Sequence, residues 1–132
     1  MISKPSASTD TAIPPAAYKS RMFVIEPSNP AKFNGTVVVE WLNVTAGFET
    51  APDYAYAHDE LLRSGAVYVG LSAQYIGIYG GAPFPGFGLK SYDPVRYATL
   101  KHPGDSYSYD IFSQAAQAIK SPVGVNPLGS SA

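Results

Sequence analysis

The chain has no cysteine, which excludes disulfides and thiolate metal ligation and leaves the redox compartment open. It has no basic run, and its formal net charge is -1. Nothing in it supplies the positive footprint that holds nucleic acid or an anionic membrane surface. No apolar stretch approaches the roughly 20 residues that a membrane-spanning helix needs. The first ten residues, M-I-S-K-P-S-A-S-T-D, lack the apolar core of a secretory signal, so none is expected there, and the sequence assigns no compartment. His58 and His102 stand without ligand spacing, so no metal site is expected. Charged residues are few, at 14%, but hydrophobic ones reach 45%, which argues for a globular chain with a core rather than a disordered one. At 132 residues that means one small domain.

Glycine and proline are plentiful, 12 of each, and punctuate the chain into short elements. Residues 1–17, rich in Ser, Thr, Pro and Ala, read as a mobile lead-in. Residues 21–26 (R-M-F-V-I-E) form a short strand that Pro27 ends, and 28–35 carry turn chemistry in Asn29-Pro30 and Asn34-Gly35. Residues 36–42 (T-V-V-V-E-W-L) are the strongest strand signal, and the valine run predicts burial on both faces, as in a parallel sheet. Glu40 is an anomaly in that run. Thr50 is the expected N-cap of a helix reaching Ser64, with Pro52 in its first turn. Tyr54, His58, Leu61 and Leu62 share its inner face, Asp59 and Arg63 form an i,i+4 pair outside, and Gly65 stops it. Residues 66–72 (A-V-Y-V-G-L-S) are a second buried strand. Strand, loop, helix, strand is the crossover that parallel neighbours need.

Residues 73–104 read as one long irregular loop, full of Gly and Pro among aromatics, and loops of that length are functional or disordered. Ser106 or Ser108 is the expected cap of a helix to Lys120, with Ile111, Phe112, Ala115, Ala116 and Ile119 inward and Pro122 after it. The fold class is therefore α/β, a partial parallel sheet flanked by helices.

Three segments taken in order, T-V-V-V-E-W-L-N at 36–43, L-S-A-Q at 71–74 and H-P-G-D-S-Y-S-Y-D-I-F-S-Q at 102–114, resemble a bacterial family of alpha/beta hydrolase domain proteins. The resemblance runs from about Tyr18 to Gly129. It implies an incomplete α/β-hydrolase fold over residues 18–132, a small ester-like substrate and no cofactor. In that fold the strand after the helix at 106–120 ends in a nucleophile elbow of the G-x-S-x-G type, followed by the triad acid and histidine. No G-x-S-x-G occurs in these 132 residues, so the resemblance implies an N-terminal part that stops short of the serine.

The same resemblance makes the backbone of Asn43 and Val44 the candidates for an oxyanion donor, because an N–H from the loop after this strand serves that role. The loop is not of the H-G-G-G type, so the donor is open between them, and a plain strand-ending turn is an equally available reading. Ser72, Gln74 and Tyr75 lie at the carboxyl end of a parallel strand, the edge where α/β sheets bind ligands, and are pocket-lining candidates. Ser72 in G-L-S-A-Q lacks the second glycine of an elbow and sits on the wrong strand for the nucleophile. His58 is expected to be a partly buried, hydrogen-bonded residue, and His102 to orient the loop that precedes it. Tyr75, Tyr79, Phe84 and Phe87 either pin residues 73–104 or wall an apolar pocket. Asp105 and Asp110 read as helix N-terminal caps and dipole partners, with Tyr107 between them. The rival to a hydrolase fragment is a noncatalytic interaction module that uses residues 73–104. Self-association is also expected, through a sheet edge left open beside residues 66–72.

Overall fold

The structure, a computed structural model, describes residues 13–129. Most of the lead-in expected at 1–17 lies outside them; residues 13–17 are exposed, and the Pro14 carbonyl accepts a hydrogen bond from the Tyr107 hydroxyl at 2.8 Å. The sheet has three strands, β1 (Met22–Ile25), β2 (Val37–Trp41) and β3 (Val67–Leu71), in the order β1-β3-β2. β2 and β3 are parallel, pairing Val37 with Val67 through Trp41 with Leu71. Helix α1 (Pro52–Ser64) makes the crossover between them. β1 joins the other side of β3 antiparallel, Met22 against Leu71 and Ile25 against Tyr68, so the sheet is mixed.

That order corrects two expectations. The strand buried on both faces is β3, all five of whose residues are buried; in the valine-rich β2 only Glu40 is. β3 lies between two strands while β2 borders the sheet, and a central position removes water from both edges as well as both faces. The open edge beside 66–72 is likewise filled by β1, and the edge without a strand partner among the described residues belongs to β2.

Alternation along the strands builds two half-cores. Val67, Val69 and Leu71 face helix α4 (Ser108–Lys120), where they pack with Leu128 and Ala115 and with Met22, Val24, Val37, Val39 and Trp41 around them. Tyr68 faces the other way, its ring 4.7 Å from that of Tyr54 on α1 and 5.8 Å from Phe23. Gly70 shares that face, and a side chain there would overlap the Phe23 ring.

Glu40 loses its oddity here. Its carboxylate accepts from the backbone N–H groups of Asp53 and Tyr54, each at 3.0 Å, and from the Tyr68 hydroxyl at 2.6 Å. It caps α1 from the neighbouring strand, supplying the anion that a helix N-terminus favours. Thr50 is therefore not the cap: Ala51 holds that position, and Thr50 bridges back to Asn43. Gly65 ends α1 in the left-handed conformation at φ 80°, as expected. Arg63 pairs with Glu60 rather than Asp59, one turn position closer, and Leu62 is exposed, so the inner face of α1 is narrower than its periodicity predicts.

Residues 73–104 are not one irregular loop. They hold α2 (Tyr75–Tyr79), α3 (Leu89–Tyr92) and a small core of Ile78, Leu89 and Leu100, with Tyr79 and Tyr97 packed on it. Short helical turns separated by Gly and Pro have too few residues for a periodic signal. At α4 the N-cap is Tyr107 without a side-chain bond, so neither Ser106 nor Ser108 caps it; Ser108 is buried inside the first turn. Ile111 and Ala115 face the sheet, whereas Ala116 is exposed.

Candidate functional site

The carboxyl ends of β2 and β3 bring together residues 43–50 and 72–77. Residues 43–50 form a closed loop. Asn43 and Thr50 exchange both backbone hydrogen bonds, at 3.0 and 2.8 Å, and the Asn43 side chain accepts from Thr45 N–H. Inside it a turn links Gly47 N–H to the Val44 carbonyl at 2.9 Å. These bonds separate the two sequence candidates. The Asn43 N–H is spent on Thr50, while the Val44 N–H has no acceptor among the described residues.

A polar cluster anchors the far end of this loop. Glu49 reaches back to the residue ahead of β1 and the one after β3: its carboxylate takes a hydrogen bond and ion pair from Arg21 Nη2 at 2.7 Å and a hydrogen bond from Ser72 Oγ at 3.0 Å. Arg21 Nε also donates to Ser72 Oγ, and Ser20 Oγ donates to the Ser72 carbonyl. The Glu49 side chain is only 9% exposed, and its second oxygen, Oε1, has no hydrogen-bond partner among the described residues. That oxygen packs against Gly77, where a Cβ would overlap it, so the glycine in α2 makes room for the carboxylate. Burial pushes the Glu49 carboxyl above the ordinary range; Arg21 and Ser72 pull the other way without cancelling it.

Ser72 is fully buried and its hydroxyl is engaged on both sides, as donor and acceptor. Gln74 accepts from Trp41 Nε1 at 2.9 Å, and Trp41 in turn packs on Tyr109 and Phe112 of α4. Tyr75 is 43% exposed; its N–H goes to Asp105 and its ring lies 4.4 Å from that of Tyr79. Asp105 thus serves the start of α2 as well as Ser108 Oγ.

His102 is buried and fully used. Its Nδ1 accepts from Gly104 N–H at 3.1 Å, which leaves the proton on Nε2 to bond the Ala73 carbonyl at 2.8 Å. It ties the end of residues 73–104 to the end of β3. His58 is half-exposed on α1, with Nδ1 at 3.1 Å from the Ala55 carbonyl and Nε2 at 3.2 Å from Asp59. Among the described residues no group of three or more His, Asp or Glu is placed to hold a metal ion, and no helix is long and apolar enough to cross a membrane.

The aromatics of 73–104 divide. Tyr79 sits against the small core and accepts from His102 N–H, which is pinning. Phe84 and Phe87 remain 47% and 57% exposed and gather with Phe48 of the closed loop, their ring centroids 5.5–6.0 Å apart. Concavities of about 190 and 130 Å³ lie elsewhere, between the N-terminal segment, β1 and α4. Asn43, Val44, Gln74 and Tyr75 line neither.

Arg21 and Glu49 escape a sequence reading because their partnership spans 28 positions. The available signal was that Glu49 is the sole charge in N-V-T-A-G-F-E-T, a loop otherwise built for turns. Set against known proteins, residues 3–132 match the model of a family described as alpha/beta hydrolase domain. No curated protein and no solved structure matches the chain.

Proposed function

The chain belongs to the alpha/beta hydrolase domain family, and from that premise we propose that it supplies the oxyanion arm of a serine-type hydrolase acting on a small ester or amide. The observation that carries this reading is the Val44 N–H, left without an acceptor among the described residues at the carboxyl end of β2, on a loop closed by the Asn43–Thr50 bridge. A donor held in place before reaction stabilises the developing oxyanion without reorganising, and that is why such groups are effective. Asn43 contributes by spending its own N–H and carbonyl on the closure.

The nucleophile in this reading comes from sequence other than these 132 residues. They contain no G-x-S-x-G, Ser72 is buried with its hydroxyl engaged, and both ring nitrogens of His102 are occupied. The purified chain should therefore match the buffer blank on short p-nitrophenyl esters. Turnover abolished by a serine-reactive phosphonate would overturn this division of labour. In a longer form that carries a serine elbow, Val44→Pro should lower kcat by about 10²–10³, the usual cost of one oxyanion donor. An unchanged kcat in a folded Val44→Pro variant removes Val44 from the role.

A noncatalytic interaction module draws its support from the exposure of Phe84 and Phe87. The same two rings bear on the substrate of the hydrolase reading.

A further inference from the structure

The half-buried Phe48 and the exposed Phe84 and Phe87 make an aromatic trio from two segments distant in sequence, and backbone contacts mount it. Phe48 lies on the closed loop that carries Val44. Residues 80–88 dock on that loop through backbone as well as rings, with Gly81 N–H donating to the Gly47 carbonyl at 3.0 Å. Gly47 has φ 86°, and a Cβ there would stand 2.7 Å from the Ala82 carbonyl oxygen and 2.8 Å from that of Gly81. A side chain at Gly80 or Gly88 would likewise overlap the backbone opposite. Turns at Phe84 N–H to Gly81 O and Phe87 N–H to Phe84 O then set both rings beside Phe48. Large apolar rings held half-exposed on a fixed backbone offer contact area at little ordering cost.

Charge narrows the occupant. Neither N-V-T-A-G-F at 43–48 nor G-G-A-P-F-P-G-F-G at 80–88 contains a charged side chain. The nearest one along the chain, Glu49, is turned inward to Arg21. Neither segment brings a charged side chain to compensate the desolvation of a carboxylate or a phosphate, whereas a neutral aromatic group loses only water contact. We propose that Phe48, Phe84 and Phe87 form the wall that seats the aryl group of a neutral substrate, next to the loop carrying the Val44 N–H. The word substrate rests on the hydrolase reading; the recognition of a neutral aryl group does not.

The test uses binding without turnover. The chain is titrated with 2-acetonaphthone, a neutral aryl ketone that cannot be hydrolysed, and in parallel with 2-butanone and 2-naphthoate, following amide and aromatic shifts by NMR. The ketone should bind at least about tenfold tighter than either comparison probe, with shifts centred on the three rings, as expected for stacking plus apolar burial without charge. Phe84→Ser/Phe87→Ser should weaken it about tenfold. Both side chains are half-exposed, so the thermal midpoint of that variant should stay close to the parent's and separates lost binding from lost folding. A Phe48→Leu variant, which keeps the loop apolar, should weaken binding too. Equal binding by the serine variant, naphthoate binding as tightly as the ketone, or ring shifts that depend on protein concentration alone and so report a second copy of this chain, would each overturn the proposal. The Val44 amide reports the other reading separately. If the rings bind the ketone and that amide does not move, the wall stands and the oxyanion assignment falls.

Discussion

Glu40 and Glu49 are both carboxylates drawn out of water, and they differ in what meets them. Glu40 is satisfied three times over, by two helix N–H groups and a phenol. Glu40→Ala should cost about 3 kcal/mol in denaturant unfolding, from a lost cap and buried donors left unpaired. A loss within the error of the fit would show that Glu40 does not hold α1. Its partner Tyr68 titrates well above the ordinary phenol range, through burial first and the Glu40 carboxylate second. Glu49 has one oxygen paired and one orphaned, and its pKa is raised by burial. A carboxyl with a raised native pKa binds its proton more tightly folded than unfolded. Its contribution to stability is complete below the unfolded value of about 4.3 and is lost as the pH rises through the native one. The stability of the parent relative to Glu49→Gln should therefore fall as the pH rises above the unfolded value of about 4.3. Urea midpoints at several pH values measure it, and a difference that grows with pH would reverse the sign assigned here.

At the scale of elements, His102 is the fastener. It joins the Ala73 carbonyl at the end of β3 to Gly104, so residues 73–104 start and finish at one side chain. The Lys19–Lys101 bridge adds a second tie to the chain just ahead of β1. Between these ties the segment is held by the cluster of Ile78, Leu89 and Leu100 and by its backbone and ring contacts with Gly47 and Phe48. His102→Ala should cost about 2 kcal/mol, since it strands the buried Ala73 carbonyl and the half-buried Gly104 N–H together. The effect should be local: amide exchange should accelerate through residues 75–79 and 97–102 before it does in β3. Uniform acceleration across the sheet would mean that the segment and the sheet unfold as one unit, and that His102 is not a separate clasp.

For the whole molecule the decisive feature is the free edge of β2. Val37, Val38 and Val39 stand in a strand with one bonded neighbour among the described residues, an apolar edge of the kind that recruits another chain. A domain of this length also buries a modest fraction of its surface. We expect the chain to self-associate through β2, with an apparent mass in size-exclusion chromatography that falls on dilution. A monodisperse monomer at all concentrations, with one sharp cooperative melt, would show that this edge is protected. It would also favour the reading of a self-sufficient interaction module.

Local pattern determined much of this protein. The strand signals at 21–26, 36–42 and 66–72 became β1, β2 and β3 within a residue or so at each end. The helix between the last two, its glycine stop and the parallel pairing across it were legible because each depends on neighbours in sequence. So was the family, from three short segments whose order carries the resemblance. The full strand order was not legible, because nothing local says that β1 pairs along the far edge of β3 rather than along β2. Nor was the role of Glu40, whose partners Asp53, Tyr54 and Tyr68 lie up to 28 positions away. The site shows the same division. Sequence named Asn43 and Val44 together, since both follow the strand. Which of their N–H groups the Asn43–Thr50 bridge consumes is a property of a closed loop, set by a backbone pairing that neighbouring residues do not encode.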